Sequence, residues 1–362
     1  MGFLESDGQD NSKYLSELAS CSGKWLSSEG PASDIVISTR IRLARNIVGF
    51  PFMSRADHDI RQTLVDQLHS TIFEASPDRS YQFVDVQQID ELDRRFLNER
   101  QLISRELCDA EGPRAVVIDP HEQISIMLNE EDHLRMQVLN SGLALEECWN
   151  QVNALDDAIE SKVSFAYDES LGYLTACPTN VGTGIRVSVM LHLPALRITR
   201  EIRKVHEAAQ KINLAVRGLY GEGSQAMGDF YQISNQITLG SSEQELLSNL
   251  SEVIPRILGY ERRVRDLLCR DNKGQLDDKV ARALGTLRSA RSISSEETMV
   301  LLSSLRLGIN LGLIEDIDQG IVNELFVHIQ PAHIQKIFGE ALDTAPRNEA
   351  RAEYLQRRLG DS

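Results

Sequence analysis

Four short segments of this chain set arginine among carboxylates, hydroxyls or glycines: Ser38-Thr39-Arg40-Ile41-Arg42, NEEDHLR at Asn129 to Arg135, CPTNVGTGIR at Cys177 to Arg186, and RGLYGE at Arg217 to Glu222. A guanidinium is a planar fork of N–H donors that suits phosphate or carboxylate, so these segments point to an anionic ligand. Arg40 and Arg42 are two apart, and a strand over this stretch projects both from one face. Extending the apolar run QISIML by alternation puts Asn129 and Glu131 on the face away from Ile126 and Leu128. Glu131 is then free to face a cleft, with Arg135 on the same side four residues on, a spacing that also suits a plain ion pair. Three glycines, Gly218, Gly221 and Gly223, surround Glu222 and make a loop able to close over a substrate. Gly221, Gly223 and Ala226 satisfy G-x-G-x-x-A, but a dinucleotide turn must open a helix, and DFYQISNQITL downstream is rich in strand formers.

Other routes to nucleotide chemistry are missing. There is no G-x-x-x-x-G-K-[ST] and no H-R-D with D-F-G, so neither a P-loop nor a protein-kinase signature is present. The formal charge of −16 opposes nucleic acid and anionic lipid, so a phosphate site must be a local cluster. Only 8 of the 38 basic residues are lysine and the other 30 are arginine, a bias toward bidentate contacts. The cysteines Cys21, Cys108, Cys148, Cys177 and Cys269 are scattered and odd in number, without a C-x-x-C pair, which fits a reducing cytoplasm. No apolar run approaches the roughly 20 residues that span a bilayer, and the start lacks a secretory signal. Gly2 to Ser6 matches the loose myristoylation pattern, a short motif common by chance.

The elements that must position these groups follow from periodicity. RAVVID at Arg114 to Asp119 and QISIML at Gln123 to Leu128 read as strands divided by Pro120, and Val187 to Leu193 alternates at the strand period. Beyond Ser242, apolar residues recur at helical spacing, for example Ile254, Ile257 and Leu258, then Val322, Leu325 and Phe326. An α/β chain follows, with one domain over 1–242 built on a mixed, largely antiparallel sheet flanked by helices, and an all-helical domain over 243–362.

In their order, S-T-R-I-R, N-E-E-D-H-L-R, C-P-T-N-V-G-T-G-I-R and R-G-x-x-G-E resemble the guanidino (phosphagen) kinases over most of residues 33–240. That family includes creatine kinase, arginine kinase and the bacterial protein-arginine kinases of the McsB type. The resemblance implies ATP with Mg²⁺ as phosphoryl donor, its phosphates held by Arg40, Arg42, Arg135, Arg186 and Arg217. It assigns Glu131 and Glu222 as clamp and general base for the acceptor guanidinium, with Cys177 in support, and no protein-supplied metal site. The chemistry agrees: a phosphoryl group in transfer needs its charge neutralised, and a guanidinium must lose a proton before its nitrogen can attack.

The helical third follows the catalytic part, where the small-molecule enzymes carry theirs in front, and Arg40 leaves no room for such a leading domain. This layout resembles the protein-arginine kinases. It implies protein substrates with exposed arginine, delivery to a Clp-type unfoldase and protease, a small zinc-binding activator, a homodimer, a cytoplasmic stress-response role, and no membrane or nucleic-acid partner. The family's phosphoarginine-binding R-D-x-x-R-A element appears as Arg347-Asn348-Glu349-Ala350-Arg351-Ala352, with asparagine replacing aspartate; a solvated helix face is the plain alternative for the two arginines. Two other functions compete: a small-molecule guanidino kinase, and a non-catalytic phosphoarginine-binding adaptor.

Overall fold

A computed structural model describes residues 7–218 and 227–360. Its strands are β1 (Val36–Arg45), β2 (Gln82–Asp85), β3 (Ala115–Ile118), β4 (Ile124–Leu128), β5 (Leu134–Ser141), β6 (Tyr167–Asp168), β7 (Gly172–Tyr173), β8 (Ile185–His192), β9 (Leu214–Gly218) and β10 (Phe230–Asn235). Helices before the last strand are α1 (Asp7–Leu18), α2 (His58–Ala75), α3 (Glu91–Glu99), α4 (Arg105–Asp109), α5 (Leu145–Glu160), α6 (Pro194–Ile198) and α7 (Ile202–Gln210). After it come α8 (Glu243–Ser289), α9 (Ser295–Asn310), α10 (Gln319–His328), α11 (Pro331–Phe338) and α12 (Thr344–Leu359). Six of the described helices begin at side chains that accept a free N–H of the first turn: Asp57, Asp90, Ser104, Ser242, Ser294 and Asp318.

Eight strands form one sheet in the order β2-β3-β4-β5-β1-β8-β10-β9, while β6 and β7 make a separate hairpin. The antiparallel sheet flanked by helices is as expected, and every pairing among the described residues is antiparallel, so the mixed component is absent there. Strand alternation divides the sheet into two unlike faces. On one, Ile41, Leu43, Ile126, Met136, Val138, Val187, Val189 and Ile233 are buried against α2, α5 and the start of α8. On the other, Val84, Val116, Ile118 and Met127 are covered by Leu15 of α1, Phe96 and Leu97 of α3, and Leu107 of α4. The centre of that second face carries arginines.

The expected boundary after residue 242 coincides with the end of the strands, and the buried cluster under the sheet extends past it into α8. Leu246, Leu247, Leu250, Ile254, Ile257, Leu258 and Val264 on the first half of α8 belong to the same buried cluster as the sheet. At Asn272 (φ −136°, ψ 29°) the helix is interrupted, and beyond it Val280 and Leu287 join α9, α10 and α12.

Buried polar groups hold the C-terminal helices to the sheet. The Arg306 guanidinium donates to Asn323 Oδ1 at 3.0 Å, to Asp34 O at 3.1 Å, to His192 Nδ1 at 3.0 Å and to Ser33 O. His192 Nε2 lies 2.9 Å from Ser303 Oγ, which donates to Asp229 at 2.8 Å. Burial and the Arg306 and Arg265 charges press His192 well below the ordinary histidine range, so it stays neutral and its Nδ1 can accept. Glu261 receives the first N–H groups of α6, Ala195 N and Leu196 N, and pairs with Arg265 at 2.8 Å.

Arg306→Ala would leave Asn323 Oδ1 and His192 Nδ1 unpaired in the interior, while Asp34 O keeps Arg265 and Ser33 O keeps Gln319, and urea denaturation is expected to show a loss of about 3 kcal/mol. The exposed Arg357, whose partner is Glu353 one turn away, sets the comparison: Arg357→Ala should change stability by less than about 0.5 kcal/mol.

Candidate functional site

Five arginines separated in sequence by up to 177 positions are brought to one face by register alone. In the β1–β8 ladder Arg42 is directly opposite Arg186 and Arg40 is opposite Ser188. In the β1–β5 ladder Ala44 is opposite Arg135. Across β10, Ser234 faces Ser188 and Gln232 faces Arg217 of β9. Residues paired across an antiparallel ladder share a face, so Arg40, Arg42, Arg135, Arg186 and Arg217 all project from the side opposite the main core.

Like charges set directly across strands repel, and here burial adds to the cost. Burial, then Arg135 and Arg186, bring Arg40 down to about 10. Burial, then Arg135, Arg40 and Arg186, press Arg42 well below its ordinary value. For Arg40 the compensation comes from dipoles. Arg40 donates Nη1 to Gln101 Oε1 and Nη2 to Gln232 Oε1, each at 3.1 Å, and Arg186 Nη2 donates to Ser234 Oγ at 3.2 Å. Arg42 Nε is buried without a hydrogen-bond partner among the described residues. Arg135 is the exception: burial works against its charge, but the salt bridge to buried Glu130 outweighs burial and holds it above the ordinary arginine value.

Glu131 does not continue β4. Asn129 takes a left-handed conformation (φ 58°) and its Nδ2 donates to Arg61 O at 2.8 Å and Pro113 O at 3.0 Å, so the chain leaves the ladder there. The turn buries Glu130 and leaves Glu131 exposed. Arg135 therefore pairs with Glu130 and not, as its spacing allowed, with Glu131. Burial, then the charges of Asp132 and Glu130, raise the Glu131 carboxyl above the usual carboxylate range.

Asp132 ties this turn to the cysteine loop. Its Oδ1 accepts from Asn46 Nδ2 and from Ala176 N, both at 2.6 Å, so Cys177 immediately follows a residue bonded to the Glu131 turn. Cys177 is half-buried with Sγ 3.0 Å from Thr179 Oγ1. The loop is braced by Thr238, whose hydroxyl is 2.9 Å from Thr179 O and 2.6 Å from Val181 O. His133 completes the turn with Nδ1 accepting from Ile47 N at 3.0 Å and Nε2 at 2.9 Å from Pro51 O, the pattern of a neutral ring, as its burial-lowered pKa requires.

Glu222 and the Gly2 to Ser6 pattern lie outside the described residues. Arg347, Asn348 and Arg351 are on α12, and Arg351 is not on a solvated face. At 1% exposure it donates Nε to Ile329 O at 2.7 Å, and Nη1 to Ile293 O at 2.9 Å and Asn348 Oδ1 at 2.7 Å. Sequence reasoning missed Gln101, Gln232, Glu130 and Asp132. Asp132 and Glu130 stood inside the NEEDHLR segment, while the two glutamines gave no signal.

The description "ATP:guanido phosphotransferase, C-terminal catalytic domain" matches residues 63–264, and "Protein-arginine kinase McsB C-terminal domain" matches residues 273–362. A protein-arginine kinase of Halothermothrix orenii is 44% identical over 335 residues, covering 92% of this chain and 96% of its own. One from Moorella thermoacetica is 46% identical over 341 residues, covering 93% and 97%. Among solved structures, the duplicated taurocyamine kinase of Schistosoma mansoni with bound transition-state-analogue components superposes at TM-score 0.57 and 25% identity, covering 65% of this chain and 34% of that one. Lombricine kinase superposes at TM-score 0.55 with 22% identity, covering 67% and 71%, which bears on the fold alone.

The repulsion predicts a measurable exchange of stability for binding. Without ligand, Arg42→Met should stabilise the protein by about 1 kcal/mol by removing a buried charge. With inorganic tripolyphosphate at 100 times its Kd, the native chain should gain roughly 2.7 kcal/mol and Arg42→Met far less, both read from thermal unfolding.

Proposed function

This chain belongs to the ATP:guanido phosphotransferases, on the protein-arginine kinase branch, and we propose that its arginine face holds the ATP phosphates while Glu131 and Glu222 receive the arginine side chain of a protein. The activity is transfer of the γ-phosphoryl group of ATP to an arginine guanidinium. The observation that carries the assignment of the site is the register itself, which gathers five guanidinium groups on one face of the sheet. A triphosphate is the kind of polyanion that such a row of planar N–H forks suits.

In the proposed chemistry a guanidinium nitrogen attacks the γ-phosphorus, a nitrogen–phosphorus bond forms, and the bond to the ADP oxygen breaks. The nitrogen gives up its proton to a carboxylate. Glu131 suits that role because burial and its acidic neighbours raise its affinity for a proton while its position keeps it exposed. Glu222 is the second clamp, and Cys177 supports the guanidinium from the loop that Asp132 holds. Among the described residues no three His, Cys, Asp or Glu side chains gather as a metal site. Mg²⁺ would arrive on the phosphate oxygens and neutralise their charge, as hard cations do with nucleotides.

We place the division between catalytic and C-terminal units at the Asn272 interruption, supported by the change of packing there and by the two family matches that flank it. Arg347, Asn348 and Arg351 are proposed as a phosphoarginine pocket weakened by loss of its carboxylate, since Asn348 offers one amide oxygen and Arg351 already donates to it. Delivery to a Clp-type protease, a zinc-binding activator, a homodimer and a cytoplasmic setting rest on the resemblance. Among the described residues no helix is long and apolar enough to cross a membrane.

Incubation with ATP and either an unfolded arginine-rich protein or free arginine, followed by mass spectrometry under mild conditions, tests the acceptor. Phosphoarginine on the protein is expected; labelling of free arginine alone would make this a small-molecule enzyme. Glu131→Gln should lower turnover about 10²- to 10⁴-fold with ATP affinity retained, and a near-normal rate would remove Glu131 from the chemistry. Because the base must be ionised and its pKa is raised, kcat/KM should fall as pH drops through that value. Asp132→Asn keeps an oxygen for Asn46 and Ala176 but removes a neighbouring negative charge, so the acid limb should move to lower pH.

A further inference from the structure

The short connection between α3 and α4 has features that the phosphate-site reading leaves unused. Gln101 occupies the left-handed region (φ 63°), which a side chain other than glycine enters at a cost. Its backbone is fixed from two sides: N donates to Asn98 O at 3.0 Å, and O accepts from Gln137 Nε2 at 2.7 Å, which also reaches Ser125 Oγ at 3.1 Å on β4. This conformation turns the amide toward β1, where Oε1 accepts from Arg40 Nη1.

Two residues earlier, the Glu99 carboxylate accepts from Ala332 N at 2.9 Å and His333 N at 2.8 Å, the free donors at the start of α11. Arg100 between them is buried, paired with Glu122 and bonded to Cys21 O at 3.0 Å. Three consecutive residues thus fasten the C-terminal helices, the segment after α1, and one arginine of the phosphate face. A cavity along this seam is lined by Trp25, Glu99, Gln101, Met190, Phe230 and Phe326.

The chemistry of the contact sets its role. Arg40 is held through both terminal nitrogens by neutral amide oxygens, Gln101 on one and Gln232 on the other. A neutral acceptor fixes the plane of a guanidinium while leaving its full charge for an incoming anion. A carboxylate, as on Arg135, fixes and also neutralises. We infer that Gln101 is a positioning residue for Arg40, holding it charged and oriented toward phosphate, and that Glu99 anchors this segment to the C-terminal helices. The inference rests on the reading that Arg40 binds the ATP phosphates.

The test compares steady-state kinetics of the full-length chain and three variants. Gln101→Glu sets a carboxylate against Arg40, and its KM for ATP should rise ten-fold or more while KM for the protein acceptor stays within two-fold. Gln101→Gly accepts the left-handed backbone without strain, so it folds even if the glutamate variant does not, and its KM for ATP should rise several-fold. A merely structural role would instead lower kcat in proportion to lost folded protein and leave both KM values unchanged, which overturns the inference. Arg40→Met separates the two levels. Wild-type affinity for ATP in Arg40→Met sinks the phosphate reading, whereas lost affinity there with unchanged KM in both Gln101 variants sinks only the inference.

Discussion

The rest of the structure depends on an excess of positive charge held in one place. Arg42 lies directly across a ladder from Arg186, with Arg40 and Arg135 on the neighbouring rows of the same face. A sheet tolerates such a row only if its other interactions outweigh the repulsion and the desolvation of each charge. Here they do so because the opposite face of the same strands is largely apolar, so the residues between the arginines, Ile41, Leu43, Val187 and Val189, anchor the backbone that displays them. An anion bound on this face would recover part of the stability that the arginines give up.

Around that face, acceptors differ in kind according to what each arginine must do. Arg135 has a carboxylate and so keeps its charge at the cost of part of its field, while Arg40 has amides and Arg186 a hydroxyl. The turn carrying Glu131 is built from side chains bonded to distant backbone: Asn129 to Arg61 and Pro113, Asp132 to Ala176, His133 to Ile47 and Pro51. Each bond fixes a loop whose sequence has no regular element to define it. The turn carrying Glu131 and the cysteine loop are consequently parts of one hydrogen-bonded unit.

The C-terminal helices belong to this arrangement and are not an appendage. Arg306 and Ser303 of α9 reach His192 at the end of β8, and Glu99 receives the start of α11. Buried charged side chains at such seams carry a large penalty if left unpaired, so a displaced helix would expose several unsatisfied groups together. This favours a few discrete positions of the helices over a continuum, a property suited to transmitting a signal to the arginine face.

By itself the sequence determined the local chemistry: alternation put Arg40 and Arg42 on one side, apolar periods marked the strands and the helical third, and ordered motifs named the family. The period of a strand is a property of neighbouring residues, so a single chain displays it. What tertiary structure decided was register, which alone sets Arg186 against Arg42 and Arg217 against Gln232, and which depends on pairing between strands far apart in sequence. It also decided the partners. The left-handed Asn129 ended β4 early and gave Arg135 to Glu130, burial made Arg351 an internal fastening, and two unremarkable glutamines met at Arg40. A hydrogen bond between residues 61 or 192 positions apart leaves no period behind, so the side chains that hold Arg40 were legible only once the sheet had closed around them.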